Sequence, residues 1–144
     1  MGDRTWVRIT YAEQSEPAVM EAFNWQPSQV QFLDIREEHG IATANIDELN
    51  WGGIDEMRAL AKKGVTFLAH SGAGGSYGEA LSAGCRGEFV EVSAHEGDPV
   101  CLVRDNGKAD PEGMQHIRTY QRLSRKANRE LQRIRATHKE AAET

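Results

Sequence analysis

The chain is poor in the residue types that most quickly betray a function. Its 144 residues include two cysteines, four prolines and 7% aromatics, and no apolar run exceeds a handful of residues. Cys85 and Cys101 cannot supply a framework of several disulfides, and neither stands in the C-x-x-C spacing of a zinc site. A membrane-spanning helix needs about 20 apolar residues in succession, and the sequence has no such stretch. The opening MGDRTWVRIT lacks the basic, then apolar, then small-residue order of a secretory signal. Trp6 occupies the position where the myristoylation pattern wants Ser or Thr. The expectation is a cytoplasmic protein with no membrane partner, whose cysteines pack as small hydrophobes.

The familiar nucleotide and hydrolase signatures are missing too. Residues 65–78, VTFLAHSGAGGSYG, run from a short apolar stretch into Gly72, Gly74, Gly75 and Gly78. No Lys-Ser or Lys-Thr follows the last glycine as in a P-loop, and the spacing is not the dinucleotide fingerprint. Ser71 lies between His70 and Gly72, outside the G-x-S-x-G pattern. The stretch is therefore a tight corner or a site. As a site, the amides of Gly72, Gly74 and Gly75 with Ser76 and Tyr77 would bind a nucleotide or phosphate. His70, Ser71, His95 and Asp98 are the residue types of a nucleophile, a base and an orienting carboxylate. Neighbours on a strand face opposite ways, so His95 would have to serve Ser71 as base. His70, Cys85, His95 and Cys101 could ligate zinc by type, but no short spacing joins them. No metal or cofactor is expected, and the balance leans away from an enzyme.

What the chain does have is separated charge. Residues 1–110 carry nine Lys and Arg against eighteen Asp and Glu, a net of −9, whereas residues 111–144 carry eight against four, a net of +4. The pattern describes an acidic domain over 1–108 followed by a basic helix over 109–144, packed on that domain or on a second copy.

Periodicity supplies the elements. Val7, Ile9 and Tyr11 alternate with Trp6, Arg8 and Thr10, the period-two signal of a half-buried strand. Ser15-Glu16-Pro17 reads as a helix start with Ser15 as cap. Strands over 30–36 and 41–47 flank a turn at 37–40, and pairing Arg36 with Ile41 gathers Leu33, Ile35, Ala42, Ala44 and Ile46 on one face. Val30 and Phe32 fall on the opposite face, which is then partly covered or an interface. Residues 54–64 read as a helix with acids in its first turn and lysines in its last. A strand over 65–70 follows, then one helical turn at 79–83, and a hairpin of strands 88–94 and 99–104. A long helix starts at Asp110-Pro111-Glu112 and continues to about His138. Ile117, Tyr120, Ala127, Leu131 and Ile134 form its apolar seam, suited to a coiled coil or dimer. The predicted fold is α+β, a ferredoxin-like βαββαβ core with an added β-hairpin and a long C-terminal helix.

Composition points to binding rather than catalysis. Asp34, Glu37, Glu38, Asp47 and Glu48 crowd one quarter of the chain and could offer a basic protein a phosphate-like array. The leading expectation is a small acidic inhibitor of a nucleic-acid-handling protein, with a protein partner or a homodimer. Direct nucleic-acid binding is not expected, because the acidic body repels a polyanion and residues 121–144 carry no aromatic to stack bases. The alternative is a small-ligand protein or hydrolase with its site at loop 70–78.

Overall fold

The structure is a computed structural model that describes residues 4–23, 33–50, 53–73 and 78–143. It is a mixed α+β fold. The strands are β1 (Arg4–Ala12), β2 (Leu33–Glu38), β3 (Ile41–Asn50), β4 (Phe67–Ser71), β5 (Ala80–Cys85), β6 (Glu88–His95) and β7 (Asp98–Pro99), and the helices are α1 (Glu16–Ala22), α2 (Ile54–Lys62) and α3 (Pro111–Glu143). All seven strands join one antiparallel sheet in the order β2-β3-β1-β4-β5-β6-β7.

Two helical layers sandwich this sheet. One face of β1, β3 and β4, with Ile9, Tyr11, Ala42, Ala44, Ile46, Phe67 and Ala69, packs against Val19 and Phe23 beside α1 and Met57, Leu60 and Ala61 of α2. The other face, with Leu81, Ala83, Cys85, Val90, Val92 and Ala94 of β5 and β6, packs against Ile117, Leu123 and Ala127 of α3. The helix then crosses β4 diagonally, and Leu131 reaches Ala12 and Ile41 at the ends of β1 and β3. Each large side chain buried in these layers contributes roughly 1.5–3 kcal/mol.

Local chemistry explains most element ends. Three hairpins turn on a non-glycine followed by a glycine, both with positive φ: His39-Gly40, Arg86-Gly87 and Glu96-Gly97. That is the pair of left-handed residues a two-residue turn needs to match strand twist. The α3 helix begins where Asp110 caps it, its Oδ2 accepting from the Gly113 amide at 3.0 Å, with Pro111 at the first helical position.

Several expectations are corrected. The 3-10 turn Glu13–Ser15 precedes α1, and Ser15 makes no side-chain cap hydrogen bond. The β2–β3 partner of Ile41 is Glu38, not Arg36. The register moved by two residues, so every side chain kept its face. The helical turn expected at 79–83 is β5, because Leu81, Ala83 and Cys85 alternate onto the α3 core. Small residues on its other side make room for neighbours: a Cβ on Gly84 would overlap the Phe67 ring. The last hairpin is short. β7 ends at Pro99, which has no amide to donate, and residues 100–110 form a separate loop with one bridge, Val103 to Ala109. Val30 and Phe32 lie outside the described residues.

Candidate functional site

The rows of side chains that cross the sheet build the site. On the α3 side one row runs Asn45, Arg8, His70, Leu81, Val92 across β3, β1, β4, β5 and β6. The row is apolar where α3 lies over it and polar where the helix has left it. At that boundary a cleft of about 410 Å³ opens between the sheet and α3, lined by Arg8, Thr10, Leu68 and His70 from the sheet and by Tyr120, Ser124, Arg125 and Asn128 from the helix, among others.

His70 is held from two directions. Its Nε2 lies 2.7 Å from Glu79 Oε2, and Trp6 meets the ring edge-on with centroids 4.9 Å apart. A carboxylate only accepts, so Nε2 carries the proton and Nδ1 is the nitrogen left to other partners. Glu79 also accepts from the Glu96 amide at 3.0 Å and the Gly97 amide at 2.7 Å. The His70 ring, then the Gly97 and Glu96 amides, hold the Glu79 carboxyl below the usual glutamate value against an opposing desolvation. The β6–β7 turn thus braces the carboxylate that braces the imidazole.

The remaining lining groups are oriented by their own elements. Arg8 Nε donates to Asn45 Oδ1 at 3.0 Å, which lays the guanidinium along the sheet. Burial pushes the Tyr120 phenol up, with Ser124 opposing, so it stays a donor at neutral pH. Among the described residues the cleft lining contains two arginines and a histidine but no carboxylate. On the same flank of α3 by helical period, Arg135 keeps a buried Nε with no hydrogen-bond partner.

The sequence-predicted residues scatter around this cleft. Gly72 packs on Trp6: its amide donates to the Trp6 carbonyl at 3.1 Å, and a Cβ there would overlap the indole and Thr5 Oγ1. Close approach to Trp6 is therefore the structural reason for this glycine. Gly74, Gly75, Ser76 and Tyr77 lie outside the described residues. Ser71 is buried and alternates with His70 onto the α2 side of the sheet. His95 and Asp98 are exposed beyond the braced turn, and His95 lies 3.9 Å from Glu96. Of the four residues considered for hydrolysis, only His70 enters the cleft.

The acidic set divides. Glu37 faces α1 with Glu13 and Glu16, and desolvation together with those two carboxylates pushes it above the usual value. Glu38, by alternation, takes the opposite face, Asp34 is in register with Asn45, and Asp47 and Glu48 fall at the β1–β3 bulge opposite Trp6. In the seam, Ile117, Ala127 and Leu131 are buried against the chain's own sheet, with Tyr120 and Ile134 partly buried beside them. Cys85 and Cys101 are free, and no group of three or more His, Cys, Asp or Glu fit to hold a metal occurs among the described residues.

Sequence reasoning missed Trp6, Arg8, Glu79, Arg125 and Asn128. The period-two pattern of β1 already placed Trp6, Arg8 and Thr10 together. No helix of the described residues is long and apolar enough to cross a membrane. Comparison with protein-family models, with curated proteins and with solved structures found no match to the chain.

Proposed function

We propose that the protein is a non-enzymatic binding protein whose ligand is a small anion held in the cleft between β1, β4 and α3. One observation carries this: Arg8, His70 and Arg125 converge on a cleft whose lining, among the described residues, holds no carboxylate, while Glu79 beside it is occupied by three donors. A phosphate or carboxylate group would meet cations and neutral donors there and nothing of its own sign. Binding rather than hydrolysis is supported by Ser71, which is buried on the opposite, α2 side of the sheet, and by the Ser124 hydroxyl, which bonds the Gln121 carbonyl of its own helix at 3.2 Å.

The finer fold reading belongs with this proposal. A ferredoxin-like arrangement of β1-α1-β2-β3-α2-β4 is supported by the strand order 4-1-3-2, the antiparallel pairing throughout, and α1 and α2 on one face. A second reading, an acidic accessory protein for a basic partner, is favoured by the crowding of Glu13, Glu16 and Glu37. Charge reversal at Glu37, Glu38 and Asp34 that left capture of such a partner intact would remove it.

Thermal-shift measurements with inorganic phosphate, nucleotides and small carboxylates test the cleft. A fitting anion at a hundredfold its Kd adds about 2.7 kcal/mol, a rise on the order of 5–10 °C for a domain of this size. Arg125→Glu and His70→Ala are expected to abolish that rise. No rise with any of the three anion classes would remove the proposal.

A further inference from the structure

We infer that the second half of α3, together with the β5–β6 turn, is a surface for the phosphate backbone of duplex nucleic acid. Lys126, Arg129 and Arg133 succeed one another at spacings of three and four on the flank of α3 away from the cleft, and Arg86 of the turn stands beside them. All four are exposed and surround a recess of about 220 Å³ with Cys85 and Glu130. None of the four forms an ion pair among the described residues. Arg122, one turn earlier, differs: Glu88 accepts from it at 2.9 Å. The single carboxylate of the recess, Glu130, is turned inward, accepting from Thr66 Oγ1 at 3.0 Å and from Cys85 Sγ at 3.5 Å. Four cations with one engaged carboxylate leave a strongly positive recess.

The carboxylates on the far face of the sheet do not cancel it, and Glu88, close enough to act on Lys126, is held by Arg122. Glu13, Glu16, Glu21, Glu37, Asp55 and Glu56 belong to the α1 and α2 layer or its flank, on the far side of the sheet. Two layer spacings of about 10 Å each separate the outer surfaces, beyond the Debye length of about 8 Å at physiological salt. A polyanion on α3 is therefore screened from those carboxylates.

Duplex is favoured over single strands because α3 has no aromatic residue after Tyr120, which lines the cleft, and single-strand surfaces stack bases on aromatic rings. A membrane surface is disfavoured because an interfacial helix needs its apolar face for lipid, and the apolar face of α3 is buried against its own sheet. Lys and Arg contacts to phosphates position a protein without reading sequence, so binding is expected to be sequence-independent.

Fluorescence anisotropy of the full chain with a labelled duplex, titrated from 50 to 200 mM NaCl, tests this. Four phosphate contacts predict a slope of log K against log salt of about −3.6, a loss of about 150-fold in affinity over that range. Arg129→Gln with Arg133→Gln is expected to halve the slope, leaving a loss of about 12-fold, and Arg86→Gln alone, on a different element, to reduce it by about 0.9. Arg58→Gln with Lys62→Gln removes the same charge from α2 and is expected to leave the slope unchanged. The inference is overturned if the duplex is not bound at 50 mM, if the α2 pair lowers the slope as much as the α3 pair, or if anionic phospholipid vesicles are bound in preference to the duplex. All these residues lie outside the cleft, so the outcome is independent of the small-anion proposal.

Discussion

The two faces of the sheet are apolar over different halves. Toward α1 and α2 the row Ile35, Ala44, Ile9, Ala69 is apolar from β2 to β4 and turns polar at Ser82 and Glu91. Toward α3 the adjacent row is polar at Asn45, Arg8 and His70 and apolar at Leu81 and Val92. Each helical layer covers the half that the other leaves. The α2 edge of the first face is closed by long side chains: Arg58 lies 5.6 Å over the Phe89 ring, and burial pushes Glu91 up while Arg58 opposes it. The corresponding edge of the second face is not closed, and the cleft is there. An offset between two covering layers can thus create a polar cleft inside an otherwise ordinary packed sheet.

The largest expected effect tests the dry face. Phe67 is fully buried between β1, β5 and the α2 layer, and Phe67→Ala is expected to cost about 3–5 kcal/mol by urea denaturation. A loss under 1 kcal/mol would mean that this face is not the packed one. The next tests the brace at the cleft. The folded-state Glu79 carboxyl is held below its unfolded value, so its stabilisation is present above the ordinary glutamate range, near pH 4.3, and is lost as pH falls through the lower folded value. The stability gap between wild type and Glu79→Gln should therefore be widest at neutral pH and shrink on acidification toward pH 3. A gap independent of pH would show that the His70 and amide contacts do not favour the ionised form. The smallest effect is expected in the loop after β7. Leu102 is 80% exposed, and Leu102→Ala should change stability by no more than about 0.5 kcal/mol in the same urea assay. A larger loss would reveal packing on a third surface.

Much of the fold was legible because it follows from period and turn chemistry. The β1 alternation, the acid-to-lysine order of α2 and the Asp110-Pro111 start of α3 each depend on residues within a few positions of one another. Even the wrong β2–β3 register preserved the correct faces, since a shift of two keeps parity. β5 was misread because Ala80, Ser82 and Gly84 have little strand character of their own. Their smallness makes sense only once Met57 and Phe67 are known to sit opposite: Ser82 Oγ donates to Met57 Sδ at 3.5 Å, and Gly84 accommodates the Phe67 ring. The cleft was legible in pieces. His70 and the start of the glycine loop were singled out, whereas the role of Glu79 emerges only where His70 and two amides meet on its carboxylate.

By itself the sequence determined the strands β1 to β4 and β6, the three helices, the inward and outward faces of most of them, and the concentration of positive charge in α3, because each of these depends on local spacing. Only the tertiary structure decided that α3 covers the chain's own β5 and β6 and then crosses to the ends of β1 and β3, that Arg8 and His70 line one cleft with Arg125, and that the carboxylates of the α1 and α2 layer lie across the sheet from the basic flank of α3. Those relations join residues far apart in the chain, and strand order and the diagonal path of one helix set them.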